Sequence, residues 1–493
     1  ASYRELSRTE GVPGFPRVNA RYKEQPPRQR KLPSEDNATG TPSRRHWVDD
    51  WSEADLRKAA VEHTMLTWSS SQPTESLPII DRAEGVYLYD MAGKQYLDWT
   101  SQAVCANLGH TVPAPVRSAM MEQLGSTPFV YGGMAISPVR ARLSALLAEL
   151  APGDLNGFLF PSSGSEANEA AIRLARLYTG KTKIFNQYRS YHGGSLGPLG
   201  ATGDFRRHFA ADQATGFVKM FNPEPHYFRW GDTNEAACSR VLSCIQEQIE
   251  AEGPDTIAAI MVESIPGSAG VLIPTVGFME GVRSLCDQYG ILMICDEVMT
   301  GFGRTGELFA FQHYDGVVPD IFTSAKGLTG SWQPLSVVGV RQRIKDFFWD
   351  RPAGWGSTFQ AHPVSLACGY ASLKYMVETD LISHVQKTVQ PIIIEELDRL
   401  VGKYAFLQQA RAIGAFGCLD LINPNTGEMV MKLGGPMSPQ VADFKRAFSA
   451  EGLIGFVRPP QVHCAPPLII SADELRDGFQ RFDRALSVLE HAF

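Results

Sequence analysis

Gly290-Ile291-Leu292-Met293-Ile294-Cys295-Asp296-Glu297-Val298 opens on glycine, runs through apolar residues and closes on two acids before Val298. A short apolar run with those bounds fits a strand buried on both faces, the kind found in a parallel sheet covered by helices. Asp296 is then expected at the carboxyl edge of the sheet, where open α/β folds bind their ligands. Downstream comes Phe322-Thr323-Ser324-Ala325-Lys326-Gly327-Leu328-Thr329-Gly330, with a lysine beside glycine. Taken singly, Lys326 reads as a solvated loop lysine and Asp296 as an acid capping a helix. Together they supply an amine that can form and release an imine and a carboxylate that can face a ring nitrogen.

Upstream, Phe158-Leu159-Phe160-Pro161-Ser162-Ser163-Gly164-Ser165-Glu166-Ala167-Asn168-Glu169-Ala170-Ala171 passes from an apolar strand through a Ser/Gly turn into an alanine-rich helix. Such a helix start offers unpaired N–H groups and a positive dipole end to a phosphate, and the Ser165 hydroxyl adds a donor. A plain serine N-cap with Glu166 in the first turn explains the turn alone, but not its pairing with a lysine. Amine, carboxylate and phosphate cradle together point to pyridoxal phosphate as cofactor.

Further motifs stand in a fixed order around these: Gly301-Phe302-Gly303-Arg304-Thr305-Gly306, Gly356-Ser357-Thr358-Phe359-Gln360-Ala361-His362-Pro363, Asn107-Leu108-Gly109-His110, Tyr191-His192-Gly193-Gly194 and Pro466-Pro467-Leu468. With them the chain resembles the class III pyridoxal-phosphate aminotransferases, the omega-aminotransferase group of fold type I, from about Trp68 to its C-terminus. The resemblance implies an α/β fold with a large domain around a mostly parallel, seven-stranded sheet and a smaller α+β domain built from both chain ends. It implies that Lys326 is the Schiff-base lysine, that Asp296 pairs with the pyridine nitrogen, and that Val298 and Tyr191 cover the two ring faces. Gly164 and Ser165 would hold the phosphate, joined by Thr358 from the second subunit of a homodimer. His192 and Glu263 complete the implied cofactor contacts.

The chain also departs from parts of the family. Ornithine-type members read Glu-Pro-x-Gln-Gly-Glu where this chain reads Glu263-Ser264-Ile265-Pro266-Gly267-Ser268, so the second acid, which there gates a substrate arginine, is absent. That pattern, with Thr67-Trp68-Ser69, is similar to the taurine–pyruvate and related omega-amino-acid members, and makes Trp68 a candidate substrate contact. Two arginines compete for the keto-acid carboxylate: Arg411, at the family's Val-Arg-Gly-x-Gly position, and Arg458, just before His463-Cys464-Ala465-Pro466-Pro467. A guanidinium forms a bidentate fork on a carboxylate, which suits either place.

The 493 residues, 44% hydrophobic and 20% charged, can bury more than one core. A net charge of −7 and a pI near 5.9 leave no electrostatic footprint for nucleic acid, and no apolar run of ~18 residues is present to span a bilayer. The eight cysteines are scattered, without a C-x-x-C pair or a nearby histidine set, so no metal site or disulfide framework is expected. Residues 1–45 form a basic, proline-rich arm expected to be extended and available to contact another protein; a presequence removed ahead of Ala1 would make this a protein of the mitochondrial matrix or another organelle, the alternative being cytoplasmic. Residues 46–105 are expected to open the small domain, 106–376 to form the large cofactor-binding domain and 377–493 to close the small one. The expected activity is ping-pong transfer of an amino group from an omega-amino acid or amine to a small keto acid, pyruvate favoured over 2-oxoglutarate. A decarboxylase, an aminomutase and a non-catalytic assembly subunit are the rival readings.

Overall fold

The computed structural model describes residues 51–209, 214–224, 230–490 and 492, with backbone only for 73, 74 and 458. The basic arm, the start of the 46–105 segment and the centre of the aromatic stretch Phe221 to Trp230 lie outside the described residues. Backbone contacts group the chain into two units, residues 1–76 and 77–493. In the first, a helix covers Glu53–His63, started by Ser52 in a reciprocal capping box with Asp55. Trp68 belongs to this unit and is 45% exposed.

Among its described residues the second unit contains three sheets. β1 (Ile80–Glu84), β2 (Tyr87–Asp90) and β3 (Gln95–Asp98) form an antiparallel meander. The turn between β2 and β3 is fixed by Asp90, whose Oδ1 accepts from the amides of Ala92 and Lys94.

The central sheet is built from β4 (Leu155–Leu159), β5 (Lys183–Gln187), β6 (Phe217–Met220), β7 (Ile257–Glu263), β8 (Leu292–Glu297), β9 (Ile321–Ser324) and β10 (Val337–Arg341). Its order is β4-β10-β9-β8-β7-β5-β6, and only β10 runs against its neighbours. Every residue of β7, β8 and β9 is buried, as strands covered by helices on both faces must be. Parallel running brings the carboxyl ends of β4, β5, β7, β8 and β9 to one edge.

β11 (Leu407–Ile413), β12 (Phe416–Leu421), β14 (Val457–Arg458) and β15 (Gln461–Cys464) make the third sheet, and β13 (Leu453–Ile454) pairs in parallel with β3. Both chain ends therefore share one sheet. Helices occupy Pro439–Ala450 and Ala472–Ser487. A helix begins at Leu381 and passes through a π-turn, Val385–Val389, before Gln390–Lys403. The wider turn falls just ahead of Pro391, which has no N–H for the helical ladder. Among the described residues no helix is long and apolar enough to cross a membrane.

Candidate active site

Helix Gly164–Thr179 shows how local sequence builds one wall of the site. Ser163 caps it by accepting from the Glu166 amide at 3.2 Å, and Gly180 ends it in the left-handed region at φ 68°. Ala167, Ala170, Ala171 and Leu174 bury one face against the sheet, so the helix is held close and its first turn faces the sheet edge. Ser163 is thus the cap, and Ser165 is a separate hydroxyl: its Oγ lies 2.7 Å from Ser195 Oγ and accepts the Ser195 amide at 3.1 Å. Closeness here requires glycines. A Cβ on Gly164 would stand 2.7 Å from Val298 Cγ1, and one on Gly193 would stand 2.5 Å from Ser165 Oγ.

Sheet register sets the next residues side by side. Glu263 at the end of β7 pairs with Asp296 in β8, and Asp296 pairs with Thr323 in β9, two residues before Ala325-Lys326. Asp296 Oδ2 accepts from His192 Nδ1 at 2.7 Å and Asn168 Nδ2 at 2.8 Å, while Oδ1 accepts the Val298 amide at 2.9 Å. That network puts the imidazole hydrogen on Nδ1 and leaves the buried Nε2 without a partner among the described residues. Asn168 is fixed in turn: Nδ2 also donates to the His192 carbonyl at 2.7 Å, and Oδ1 accepts from Thr323 Oγ1 at 2.6 Å.

Glu263 accepts the amides of Tyr191 at 2.7 Å and Gly267 at 3.0 Å. Burial pushes its carboxyl up to about 7, with Asp296 adding to the rise and His192 opposing it. Tyr191 carries the Arg206 guanidinium 3.4 Å from its ring centroid. Lys326 sits at φ 38°, a left-handed conformation that costs a non-glycine residue roughly 1–2 kcal/mol. Burial holds its amine below the usual lysine range, against the pull of Cys105, Asp296 and Glu263. Its amine makes no hydrogen bond to any described residue.

One cavity is lined by Lys326, Asp296, Glu263, Tyr191, His192 and Ser165, with Gly164 and Val298 in the same wall. The structure thus brings together eight of the residues singled out in the sequence. Thr358 is exposed and outside this cavity. Arg411 is not turned toward a vacant space: its fork closes on Asp420 in β12, with Nη2 at 2.7 Å from Oδ1 and Nη1 at 3.0 Å from Oδ2, while Nε donates to Gly270 O at 2.8 Å. Arg458 lies in β14, paired with Gln461.

Sequence reasoning passed over Asn168, Thr323, Arg206 and Asp204. Asn168 had a usable signal, because it lies three positions after Ser165 and so on the same helix face. Arg304, fully buried in the Gly-Phe-Gly-Arg-Thr-Gly motif, is a fastening: it donates to Ala415 O, Pro466 O, Ser101 Oγ and Asn107 Oδ1. Asn107 in turn lies so near Gly327 that a Cβ there would stand 2.3 Å from its Nδ2.

A buried amine and an imidazole nitrogen that meet no hydrogen-bond partner among the described residues, with a glycine-lined hydroxyl cradle, fit a pyridine aldehyde bearing a phosphate. The model of the family described as aminotransferase class-III matches residues 69–486, and the chain belongs to that family. It is a pyridoxal-phosphate-dependent aminotransferase of fold type I. Among solved structures it is similar to the taurine:2-oxoglutarate aminotransferase from Bifidobacterium kashiwanohense, in complex with PLP and glutamate, at 37% identity over 90% of this chain and 99% of that one, TM-score 0.85. The (S)-enantioselective omega-transaminase from Thermomicrobium roseum is 32% identical over 90% of this chain and 100% of its own, TM-score 0.83. Gamma-aminobutyrate transaminase 1, mitochondrial, of Oryza sativa subsp. japonica is 30% identical over 442 residues, 85% of this chain and 83% of that protein.

Proposed function

We propose that this aminotransferase moves an amino group from an omega-amino acid or related amine to a small keto acid, pyruvate ahead of 2-oxoglutarate, with Lys326 and Asp296 as its catalytic pair. The observation that carries the reading is the convergence of a buried lysine and a doubly supported carboxylate on one cavity at the carboxyl edge of the sheet. Bound pyridoxal phosphate supplies the electron sink that lets a proton leave the carbon beside the transferred nitrogen.

The chain's own groups do the rest. Lys326, held neutral more readily by burial, takes and returns that proton, a positioned transfer worth ~10²- to 10⁴-fold. Asp296 holds a proton on the ring nitrogen, steadied by His192 and Asn168. Tyr191 and Val298 cover the ring faces. Gly164 and Ser165 take the phosphate, with Thr358 reaching in from a second subunit, which makes a homodimer the working form. Glu263 keeps Tyr191 in place through its amide and shields the ring edge. Arg458 is a further substrate contact in this reading. The mitochondrial name of the rice relative and the basic arm together favour a mitochondrial address.

Pyruvate is favoured because Arg411 already spends its fork on Asp420, whereas a dicarboxylate needs a second cationic grip. The taurine:2-oxoglutarate name of one similar structure favours the other acceptor. The test is to load the enzyme with amine donor, remove the donor, and compare how fast each keto acid restores the starting spectrum in the parent and in Arg411→Ala. Faster recovery with pyruvate supports the reading; a preference for 2-oxoglutarate that Arg411→Ala abolishes refutes it.

A further inference from the structure

Three consecutive residues, Ser268, Ala269 and Gly270, each accept a hydrogen bond from a different arginine. Arg206 Nη2 reaches Ser268 Oγ at 3.0 Å, Arg189 Nη2 reaches Ala269 O at 3.0 Å, and Arg411 Nε reaches Gly270 O at 2.8 Å. The turn is closed by Gly270 N on Gly267 O at 3.0 Å, and a Cβ on Gly267 would stand 2.3 Å from Met299 Sδ, so its path is fixed. The acids around it are Asp204 on Arg206, Asp420 on Arg411, buried Glu224 facing Arg189 and Arg411, and Glu263 on the Gly267 amide.

Within this turn Ser268 is buried and lines the same cavity as Lys326 and Tyr191. Its oxygen is taken by Arg206, and its own hydrogen finds no acceptor among the described residues. A hydroxyl carries one hydrogen to give, and a cation bonded to its oxygen strengthens that donation. Arg206 is held in register by Asp204, whose carboxylate accepts Nε and Nη2, and by the Tyr191 ring beneath it. The cation behind Ser268 is therefore braced rather than loose.

We propose that the Ser268 hydroxyl, backed by Arg206 and Asp204, is the subsite for an acid oxygen of the substrate, a sulfonate or carboxylate on the amine donor or the carboxylate of the keto acid. This rests on the aminotransferase reading of the cavity. Glutamate at this position, as in ornithine-type members, would set a negative charge against such an oxygen and draw Arg206 onto itself. Serine instead presents a polarised donor and no charge, which suits the round sulfonate and the planar carboxylate alike.

The experiment uses the cofactor-loaded enzyme and Ser268→Ala. Calorimetry measures binding of propionate and ethanesulfonate, acids that lack the reacting nitrogen, and half-reaction rates compare taurine and β-alanine with 1-phenylethylamine. Losing one charge-assisted contact is expected to weaken anion binding about tenfold and to lower the anionic-to-uncharged donor ratio by a similar factor. A loss confined to ethanesulfonate assigns the subsite to sulfonate donors, and one confined to propionate assigns it to carboxylates. Anion affinities within about twofold of the parent, or equal losses for anionic and uncharged donors, overturn the proposal. Failure of the aminotransferase reading would look different: no amine would alter the parent's spectrum, while anion affinities would still be measured.

Discussion

Replacing Asn168 with alanine removes the side chain that ties the helix Gly164–Thr179 to the acid of the site. Three contacts go at once: Nδ2 to Asp296 at 2.8 Å, Nδ2 to the His192 carbonyl at 2.7 Å, and Oδ1 from Thr323 Oγ1 at 2.6 Å. Asp296 keeps His192 and the Val298 amide, but the Thr323 hydroxyl and the His192 carbonyl are left short of a partner in a buried place. Each such group costs about 1–3 kcal/mol, and the better helix propensity of alanine returns roughly 0.5 kcal/mol, so a net loss near 3 kcal/mol is expected. Urea unfolding of the cofactor-free protein reads that loss, and fluorescence titration reads an accompanying drop in pyridoxal-phosphate affinity of about tenfold. Asn168→Asp keeps the shape but sets a carboxylate oxygen where the amide stood, 2.8 Å from Asp296 Oδ2, and is expected to bind cofactor more weakly still. An alanine variant that loses under about 1 kcal/mol and binds cofactor as the parent does would refute the reasoning.

Borohydride reduction followed by peptide mapping is expected to mark Lys326 and no other lysine, and Lys326→Ala to abolish the mark; a different labelled lysine sinks the assignment. Mixing inactive Lys326→Ala with an inactive Thr358→Ala chain is expected to recover activity in hybrid dimers, whereas no recovery despite proven subunit exchange would put Thr358 to work in its own chain. Burial pushes Glu224 up to about 7 from 4.5, against the pull of its own backbone N–H, Arg189 and Arg411. Below about 4.5 it is protonated whether folded or unfolded and contributes nothing; between 4.5 and 7 only the unfolded chain ionises, so stability falls as pH rises, and above 7 the penalty is complete. Glu224→Gln is therefore expected to gain on the parent in unfolding midpoint from pH 5 to pH 8, and a gain that shrinks over that interval contradicts the burial argument.

What the sequence made legible is what depends on nearest neighbours along the chain. The run ending at Asp296, the Ser/Gly turn at Gly164-Ser165 and the lysine after Thr323-Ser324-Ala325 each announce a strand end or helix start, and a parallel sheet then gathers such ends at one edge without further instruction. Arg411 shows the limit. Its motif marked a carboxylate-binding arginine, but the carboxylate it meets is Asp420 across a hairpin with a shifted register between Gln408 and Arg411. Pairings of that kind, like Arg206 with Ser268 or Asn168 with Thr323, depend on how distant strands come into register, and one chain's spacing carries no trace of it.

The sheet shared by the two chain ends has a consequence for how the protein is made. Leu97 in β3 pairs with Leu453, and the Phe456 amide finds Thr100 Oγ1 356 residues away. At about 5–20 residues per second on the ribosome, the edge of β3 waits roughly 20–70 s for its partner to be synthesised. During that interval an unpaired strand edge and the Trp99 pocket that later receives Phe479 stay open to other nascent chains. Slowing translation past residue 100 is therefore expected to raise the insoluble share of the product, read by fractionating the lysate.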